Sequence, residues 1–348
     1  MSYSDNAIMA KARAGYGKRL LIDDYKRLAS CHSISELTAC LKSHPAYSEV
    51  LEQAQEDMIH RGQLEMLIRR RVFNIFTGLL KYSYDDRLFL ELYIRQNEIS
   101  QLLALVRLLN AGAMDRYIVS LPVYLSKHMS FDLFKMAKAR SFDELLTHLE
   151  HSEYYEIVGR FRPYGSAAID IVGFERALLT HHYRTFISHV QKAYKGKMCE
   201  DLLRIIYWQI DFYNIRVIWR LKSSFKYSPE KIQKHLLPIQ GNLPRRLIQQ
   251  AVAAADLAEF IPIMRQSRVM SGIFPDNEFN AVRATTLTDK ARLSLTQRPF
   301  RFSNRPVVVA VLYMTLLEIE IANLVHIIEG VRYGVSAEEI FKLLVVQQ

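Results

Sequence analysis

The sequence predicts an all-α protein built from three related helical units, and three observations lead to this prediction. Glycine and proline number 13 and 10 in 348 residues, well below their average usage of roughly 7% and 5%. Good helix formers dominate the segments between them, and hydrophobic residues make up 50% of the chain, which is enough for a sizeable core. Two sequence elements also recur at intervals of about 110 residues, which is typical of a repeat architecture.

The first recurring element is a cassette that starts a helix. The segments beginning at Ser33 and Ser141 both read S-x-x-E-L-x-x-x-L, and a tyrosine follows each, Tyr47 or Tyr154. In this pattern the serine side chain accepts from a free backbone N–H of the first turn, while the glutamate three residues later reaches back. A third, weaker copy begins at Asp256. Each cassette therefore predicts a helix N-terminus.

The second recurring element is a longer helix with polar residues inside an apolar stripe. Two copies place a carboxylate three residues before an asparagine, and the pairs, Asp211 with Asn214 and Glu320 with Asn323, are offset by 109 residues. On a period of 3.6 residues each pair lies on one helix face. Arg95 and Glu98 stand at these places in the first copy, which we interpret as degraded.

These elements predict three units, residues 1–115, 116–228 and 229–348. Turn-like segments at 110–112 and 223–229 separate them. The polar residues of the two well-preserved helices are the candidate functional residues: Asp211, Asn214, Arg216, Glu318, Glu320 and Asn323. Such residues either satisfy one another inside a helical bundle or line a cavity that binds a partner, and the sequence leaves both alternatives open.

Composition and motifs argue against several classes of protein. The three cysteines form no CxxC pair and follow no secretory signal, so we expect a reducing, cytoplasmic compartment. The longest charge-free apolar run, residues 307–317, is far shorter than the ~20 residues that span a bilayer. The formal net charge of +10 is spread along the chain, and we interpret its densest cluster, Arg69 to Arg71, as a solvated helix face.

The candidate segments for catalytic and metal-binding motifs lack the residues or the spacing that these motifs require. The segment Gly15 to Arg19 lacks the spacing and the Ser or Thr of a phosphate-binding loop. His181 and His182 are adjacent, so on a helix they point about 100° apart and cannot chelate one metal as an i, i+4 pair would. We therefore expect no catalytic residue, no cofactor and no metal, and a protein that works by binding partners.

Two long segments resemble one known family. Ala14 to Leu51 is similar to the opening of the d subunit of vacuolar and archaeal-type rotary ATPases, known as the C subunit in prokaryotic complexes, and Asn323 to Ile340 resembles its closing segment. The resemblance implies a funnel of helices with pseudo-three-fold symmetry, seated on the membrane proteolipid ring and holding a rotor shaft of subunits D and F. It also implies a non-catalytic coupling role, on the cytoplasmic face of a prokaryotic plasma membrane, in H+ or Na+ transport.

Two rival classes remain. A helical-repeat nucleic-acid or protein-binding scaffold is compatible with the net charge, although such repeats usually span 33 to 47 residues and show basic stripes with interleaved aromatics. A helical enzyme with a site formed between units is the second rival. The family resemblance favours neither nucleic acid nor a small-molecule substrate as a partner.

Overall fold

The computed structural model describes residues 3–82, 87–119, 121–165, 167–274 and 284–346, and within these ranges every regular element is a helix. This confirms the predicted all-α class. The chain divides into two compact units, residues 1–86 together with 272–348, and residues 87–271. The proposed division into three sequence units and their pseudo-three-fold arrangement stay predictions.

The first compact unit is made from the two ends of the chain. Its N-terminal helices are α1 (Tyr3–Gly17), α2 (Ile22–Ala29), α3 (Ile34–Lys42), α4 (Ser48–Leu51) and α5 (Arg61–Leu80).

The second compact unit follows along the chain. Its helices are α6 (Arg87–Asn110), α7 (Asp115–Val119), α8 (Leu133–Lys138), α9 (Phe142–Thr147), α10 (Tyr155–Gly159), α11 (Ile171–Ala193), α12 (Gly196–Phe225), α13 (Pro229–His235), α14 (Arg245–Ala253), α15 (Leu257–Arg265) and α16 (Arg268–Ser271), with a 3-10 turn at Val123–Leu125. The chain then returns to the first unit with α17 (Ala284–Phe302), α18 (Pro306–Arg332) and α19 (Ala337–Lys342).

The core of the first unit is built around α18. This helix packs against α1, α5 and α17, and also against α2, α3 and α19. Its length and its mean hydropathy of 1.9 would suit a membrane span, but 78% of its most apolar window is buried inside the protein. An apolar helix surrounded by other helices is the expected core element of a helical unit. In the second unit, α11 packs on both α6 and α12, and α12 also contacts α13 and α15.

All three predicted cassettes form helix starts, so these predictions are confirmed. The cap oxygen accepts from the N–H of the glutamate three residues later, at 3.1 Å for Ser33, 3.2 Å for Ser141 and 3.0 Å for Asp256. Each glutamate side chain in turn accepts from the N–H of the residue before the cap, at 2.8 Å in all three copies. Two otherwise free donors are thereby satisfied at each helix start.

The cap at Ser33 provides a direct test of the cassette. We expect Ser33→Ala to lower the free energy of unfolding by about 1 kcal/mol, because the Glu36 N–H loses its acceptor. Ser33→Asp serves as the matched control, since Asp256 performs the same role in the third cassette. Urea unfolding followed by circular dichroism measures the difference, and equal midpoints for the alanine and aspartate variants would contradict it.

Candidate functional site

Glu320 of α18 lies at the centre of the first unit and is only 6% exposed. Its carboxylate accepts hydrogen bonds from three donors: the Leu20 N–H at 3.1 Å, the Tyr47 hydroxyl at 2.6 Å and the Arg71 guanidinium at 3.1 Å. Arg71 also stacks over the Tyr47 ring, 4.4 Å from its centre. The carboxylate charge is therefore compensated by a buried cation, and it ties α18 to α5 and to the segments around α2 and α3.

Tyr47 is the tyrosine that follows the first cassette, and the structure gives it a role. Burial raises the pKa of its hydroxyl well above the ordinary value of 10.0, and the nearby Glu320 carboxylate raises it further. The hydroxyl therefore stays protonated and remains a donor at any physiological pH.

Arg71 corrects the interpretation of Arg69 to Arg71 as a solvated helix face. Arg69 and Arg70 are exposed, as that interpretation requires. Arg71, however, is only 7% exposed and pairs with Glu320. A helix that turns 100° per residue can point one of three consecutive side chains into the core, and the neighbouring charges conceal that position in the sequence.

Glu98 of α6 occupies the same kind of site in the second unit. It is 2% exposed and accepts from the Ser130 N–H at 2.5 Å and from the hydroxyl of Tyr154 at 2.8 Å. Tyr154 follows the second cassette as Tyr47 follows the first. Burial raises the pKa of Glu98, although the hydrogen bonds from Ser130 and Tyr154 oppose this rise.

The donors of Glu98 show that the predicted register of the first copy is wrong. The sequence spacing sets Glu98 opposite the asparagines and makes that copy look degraded, but the hydrogen bonds of Glu98 match those of Glu320. The first copy therefore does have the buried carboxylate. It is Glu98, three residues after Arg95, which the sequence spacing sets at the acid position. Arg95 instead pairs with Glu153 at 3.1 Å.

Asp211 of α12 is also a buried carboxylate, at 1% exposure. It accepts from the backbone N–H groups of Asn242 at 2.7 Å and Leu243 at 2.8 Å. A β-carbon added to Gly241 would overlap this carboxylate and displace it from its hydrogen bonds. Burial raises the pKa of Asp211 to about 7, and the two backbone hydrogen bonds only partly oppose that effect.

The three carboxylates follow one rule. Each accepts an N–H from the loop two or three residues before the short helix that precedes a cassette: Ser130 before α8, Leu243 before α14 and Leu20 before α2. The acid of α6 binds the loop ahead of the second cassette, the acid of α12 binds the loop ahead of the third, and the acid of α18 returns to the first. The connections therefore form a closed cycle along the chain, and each lies within one compact unit.

The two candidate asparagines form hydrogen bonds with neighbouring backbone segments. Asn214 accepts from the Leu237 N–H at 2.9 Å. Asn323 both donates to the carbonyl and accepts from the N–H of Val345, at 2.8 Å each. Both side chains are buried, at 5% and 2% exposure. Their polar atoms are thus used to position loops that run beside the long helices.

The remaining two candidates, Arg216 and Glu318, are partly exposed. Glu318 accepts from Arg292 at 2.6 Å, and Arg292 also pairs with Asp289 at 3.1 Å. The predicted role of all six candidates in binding a shaft stays a prediction. In the described part of the chain, no cluster of three or more His, Cys, Asp or Glu side chains is arranged to hold a metal ion.

The Glu320 site is expected to be sensitive to loss of charge. Glu320→Gln should lower the free energy of unfolding by about 3 kcal/mol, because Arg71 is left as a buried cation without its counter-ion. The matched control is Glu329→Gln, also in α18, which breaks a partly exposed pair with Arg61 of α5 and should cost less than about 1 kcal/mol. Denaturant unfolding of both variants measures the difference, and equal losses would show that Arg71 does not depend on Glu320.

Asp211, unlike Glu320, should tolerate loss of its charge, because its partners are neutral and its pKa is raised to about 7. In the unfolded chain this carboxyl titrates near 3.8, so the folded state holds the proton more tightly between these values. The contribution of Asp211 to stability is therefore complete below pH 4 and is lost as the pH rises through 7. We expect Asp211→Asn to unfold like the wild type at pH 4 and to be the more stable protein at pH 8. The measurement is the free energy of unfolding of both proteins at the two pH values. A wild type that is more stable than the variant by a larger margin at pH 8 than at pH 4 would refute this.

Comparison with known proteins gives the chain its family. The family described as ATP synthase (C/AC39) subunit matches residues 8–343. The C subunit of the A-type ATP synthase of Methanosarcina mazei is 22% identical over 345 residues, which cover 97% of this chain and 92% of the relative. The same subunit of Methanosphaera stadtmanae is 23% identical, over 96% and 86% of the two chains, and that of Archaeoglobus fulgidus is 20% identical, over 97% and 95%.

These matches extend over nearly the whole sequence, including all three cassettes and the carboxylates Glu98, Asp211 and Glu320. They agree with the expectation that the chain is a subunit of a membrane-associated rotary complex and not an enzyme in its own right. The chain belongs to the ATP synthase (C/AC39) subunit family.

Proposed function

We propose that this chain is the central-stalk coupling subunit of a V/A-type ATPase or ATP synthase. It seats the shaft of subunits D and F on the membrane proteolipid ring, at the cytoplasmic face of the membrane. Torque then passes through it between ATP hydrolysis or synthesis in the soluble part and H+ or Na+ movement through the ring. The family match over residues 8–343 is the observation that supports this proposal most directly.

The buried carboxylates support a mechanical role. A subunit that transmits torque must not yield at the joints between its helices and loops. Buried hydrogen bonds to a carboxylate are short and hard to break, because each donor would be left without a partner in a medium of low dielectric constant. Glu98, Asp211 and Glu320 make such bonds to the loop before the short helix that precedes each cassette.

Direct contact with the shaft requires side chains that a partner can reach. Of the six candidates, only Arg216 and Glu318 are partly exposed, so we propose these two as the shaft-contacting residues. Asp211, Asn214, Glu320 and Asn323 would then act indirectly, by holding the surrounding helices in place. Interface arginines commonly contribute strongly to binding, which makes Arg216 the preferred first substitution.

A bridging assay tests the proposed function. The detergent-solubilised proteolipid ring is immobilised, and the D and F pair is added with or without this chain. We expect the ring to retain the pair only when the chain is present, because the chain supplies both contact surfaces. Equal retention without the chain would refute the coupling role.

The assay also tests the proposed contact. Arg216→Glu should weaken retention of D and F by at least about tenfold, with the thermal midpoint of the chain unchanged. Arg69→Glu is a charge-matched control at an exposed helical position. Unchanged retention with Arg216→Glu would remove this residue from the interface.

A further inference from the structure

The junction between α17 and α18 forms an exposed tip on the first unit. Arg292 pairs with Glu318, and the Phe300 ring stacks on Tyr313 with 6.0 Å between centres, so the two helices run side by side in opposite directions. Only three residues connect them, which makes residues 303–305 the end of a helical hairpin. Phe302 stands at this end with 78% of its surface exposed.

The tip carries positive charge without acidic neighbours in the sequence. Residues 290–317 contain five lysines and arginines and no aspartate or glutamate. Residues 6–22 contain four cations and no acid. The second segment lies against the first, because Arg13 donates to the Ser303 carbonyl at 2.7 Å and the Tyr16 ring packs on Phe300 at 5.1 Å. We call the following residues the basic tip: Arg13, Arg19, Arg298, Arg301, Phe302 and Arg305.

A partial version of this combination precedes the other two long helices. An aromatic residue next to a cation precedes Glu98, Asp211 and Glu320 by a similar distance: Tyr82 by 16 residues, Tyr194 by 17 and Phe302 by 18. Tyr82 and Tyr194 are only partly exposed. Lys81 accompanies Tyr82, and Lys192 and Lys195 accompany Tyr194. Lys197 near Tyr194 is paired with Glu200, and Asp85 and Asp86 follow Tyr82 in the sequence, whereas the ten positions on either side of Phe302 contain no acidic residue.

The composition of the basic tip distinguishes between two kinds of partner. Arginine and aromatic residues occur in both kinds of surface, but the centre of a protein–protein interface also buries several apolar side chains, whereas the basic tip offers one exposed aromatic among cations. An aromatic ring beside lysines and arginines is typical of proteins at a membrane surface, where the ring lies among the headgroups and the cations bind phosphates. Arginine suits this role because its planar guanidinium binds phosphate through two hydrogen bonds.

We propose that the basic tip docks on the anionic phospholipid headgroups of the membrane. Phe302 enters the headgroup layer, and Arg298 and Arg301 bind lipid phosphates. The proposal rests on the proposed function only in that a rotary complex places this chain beside a bilayer.

Vesicle sedimentation tests the proposal with the full chain and no other protein. Vesicles of phosphatidylcholine are compared with vesicles that also contain about 30% phosphatidylglycerol, which gives them a negative surface potential. We expect binding to the anionic vesicles that weakens with added salt. Arg298→Gln with Arg301→Gln should weaken partitioning by about 25-fold, since each cation near such a surface contributes about 5-fold.

Two matched controls make the result specific. Arg69→Gln with Arg70→Gln removes the same charge from exposed positions of α5 and should leave vesicle binding within about twofold. Phe302→Ser should weaken binding by roughly 5-fold, whereas Met58→Ser, at a side chain that is 70% exposed in the same unit, should not.

Several outcomes would overturn the proposal. The first is that the chain binds neither kind of vesicle, and the second is that it binds both kinds equally. The third is that the two double-arginine variants lose vesicle binding to the same extent. If the tip variant binds vesicles normally but fails to bridge the ring and the D and F pair, the tip is a protein contact and the lipid proposal is wrong. Because the vesicles contain no ring or shaft, failure here leaves the bridging result, and with it the proposed function, unaffected.

Discussion

The buried carboxylate that accepts a backbone N–H from a neighbouring loop is the interaction on which the fold of each unit depends. Each long helix α6, α12 and α18 has one such group near its middle. Its partner is a loop that would otherwise have an unsatisfied donor in the core, and burying such a donor costs free energy comparable to a lost hydrogen bond. The hydrogen bond therefore fixes the loop to the middle of the long helix. The short helix and the cassette that follow the loop are positioned relative to the long helix in this way.

The three carboxylates solve the problem of a buried charge in different ways. Glu320 has a guanidinium, a hydroxyl and a backbone N–H, whereas Glu98 has a hydroxyl and a backbone N–H. Asp211 has only backbone donors, and burial raises its pKa to about 7. The raised pKa of Asp211 follows from elementary electrostatics, because a buried carboxyl group without a nearby cation is more stable with its proton bound. The same kind of joint between a long helix and a loop thus occurs three times with different electrostatic compensation.

This arrangement suits a protein that works by holding shape. The family to which the chain belongs is described as an ATP synthase subunit, and the role that we propose for the chain is mechanical. The polar residues that stand out in the long helices are used for internal joints, which leaves the outer surfaces for partners. The partly exposed Arg216 and Glu318 and the basic tip around Phe302 are different surfaces with different chemistry, and we assign them to protein and lipid respectively.

The sequence by itself determined the helical class, the three helix starts and the family. Capping joins residues three or four positions apart, so Ser33, Ser141 and Asp256 could be recognised from the local pattern. Resemblance at both ends of the chain identified the family for a similar reason, since it depends on the order of residues along the chain.

Only the tertiary structure decided which polar residues meet. Glu320 binds Arg71 and Leu20, which are 249 and 300 residues away, and no local pattern records such a distance. The same limit concealed the true register of Glu98, whose partners Ser130 and Tyr154 lie 32 and 56 residues ahead. A buried charge is placed by the packing of whole helices, and that packing arises from many weak apolar contacts which the sequence specifies only collectively.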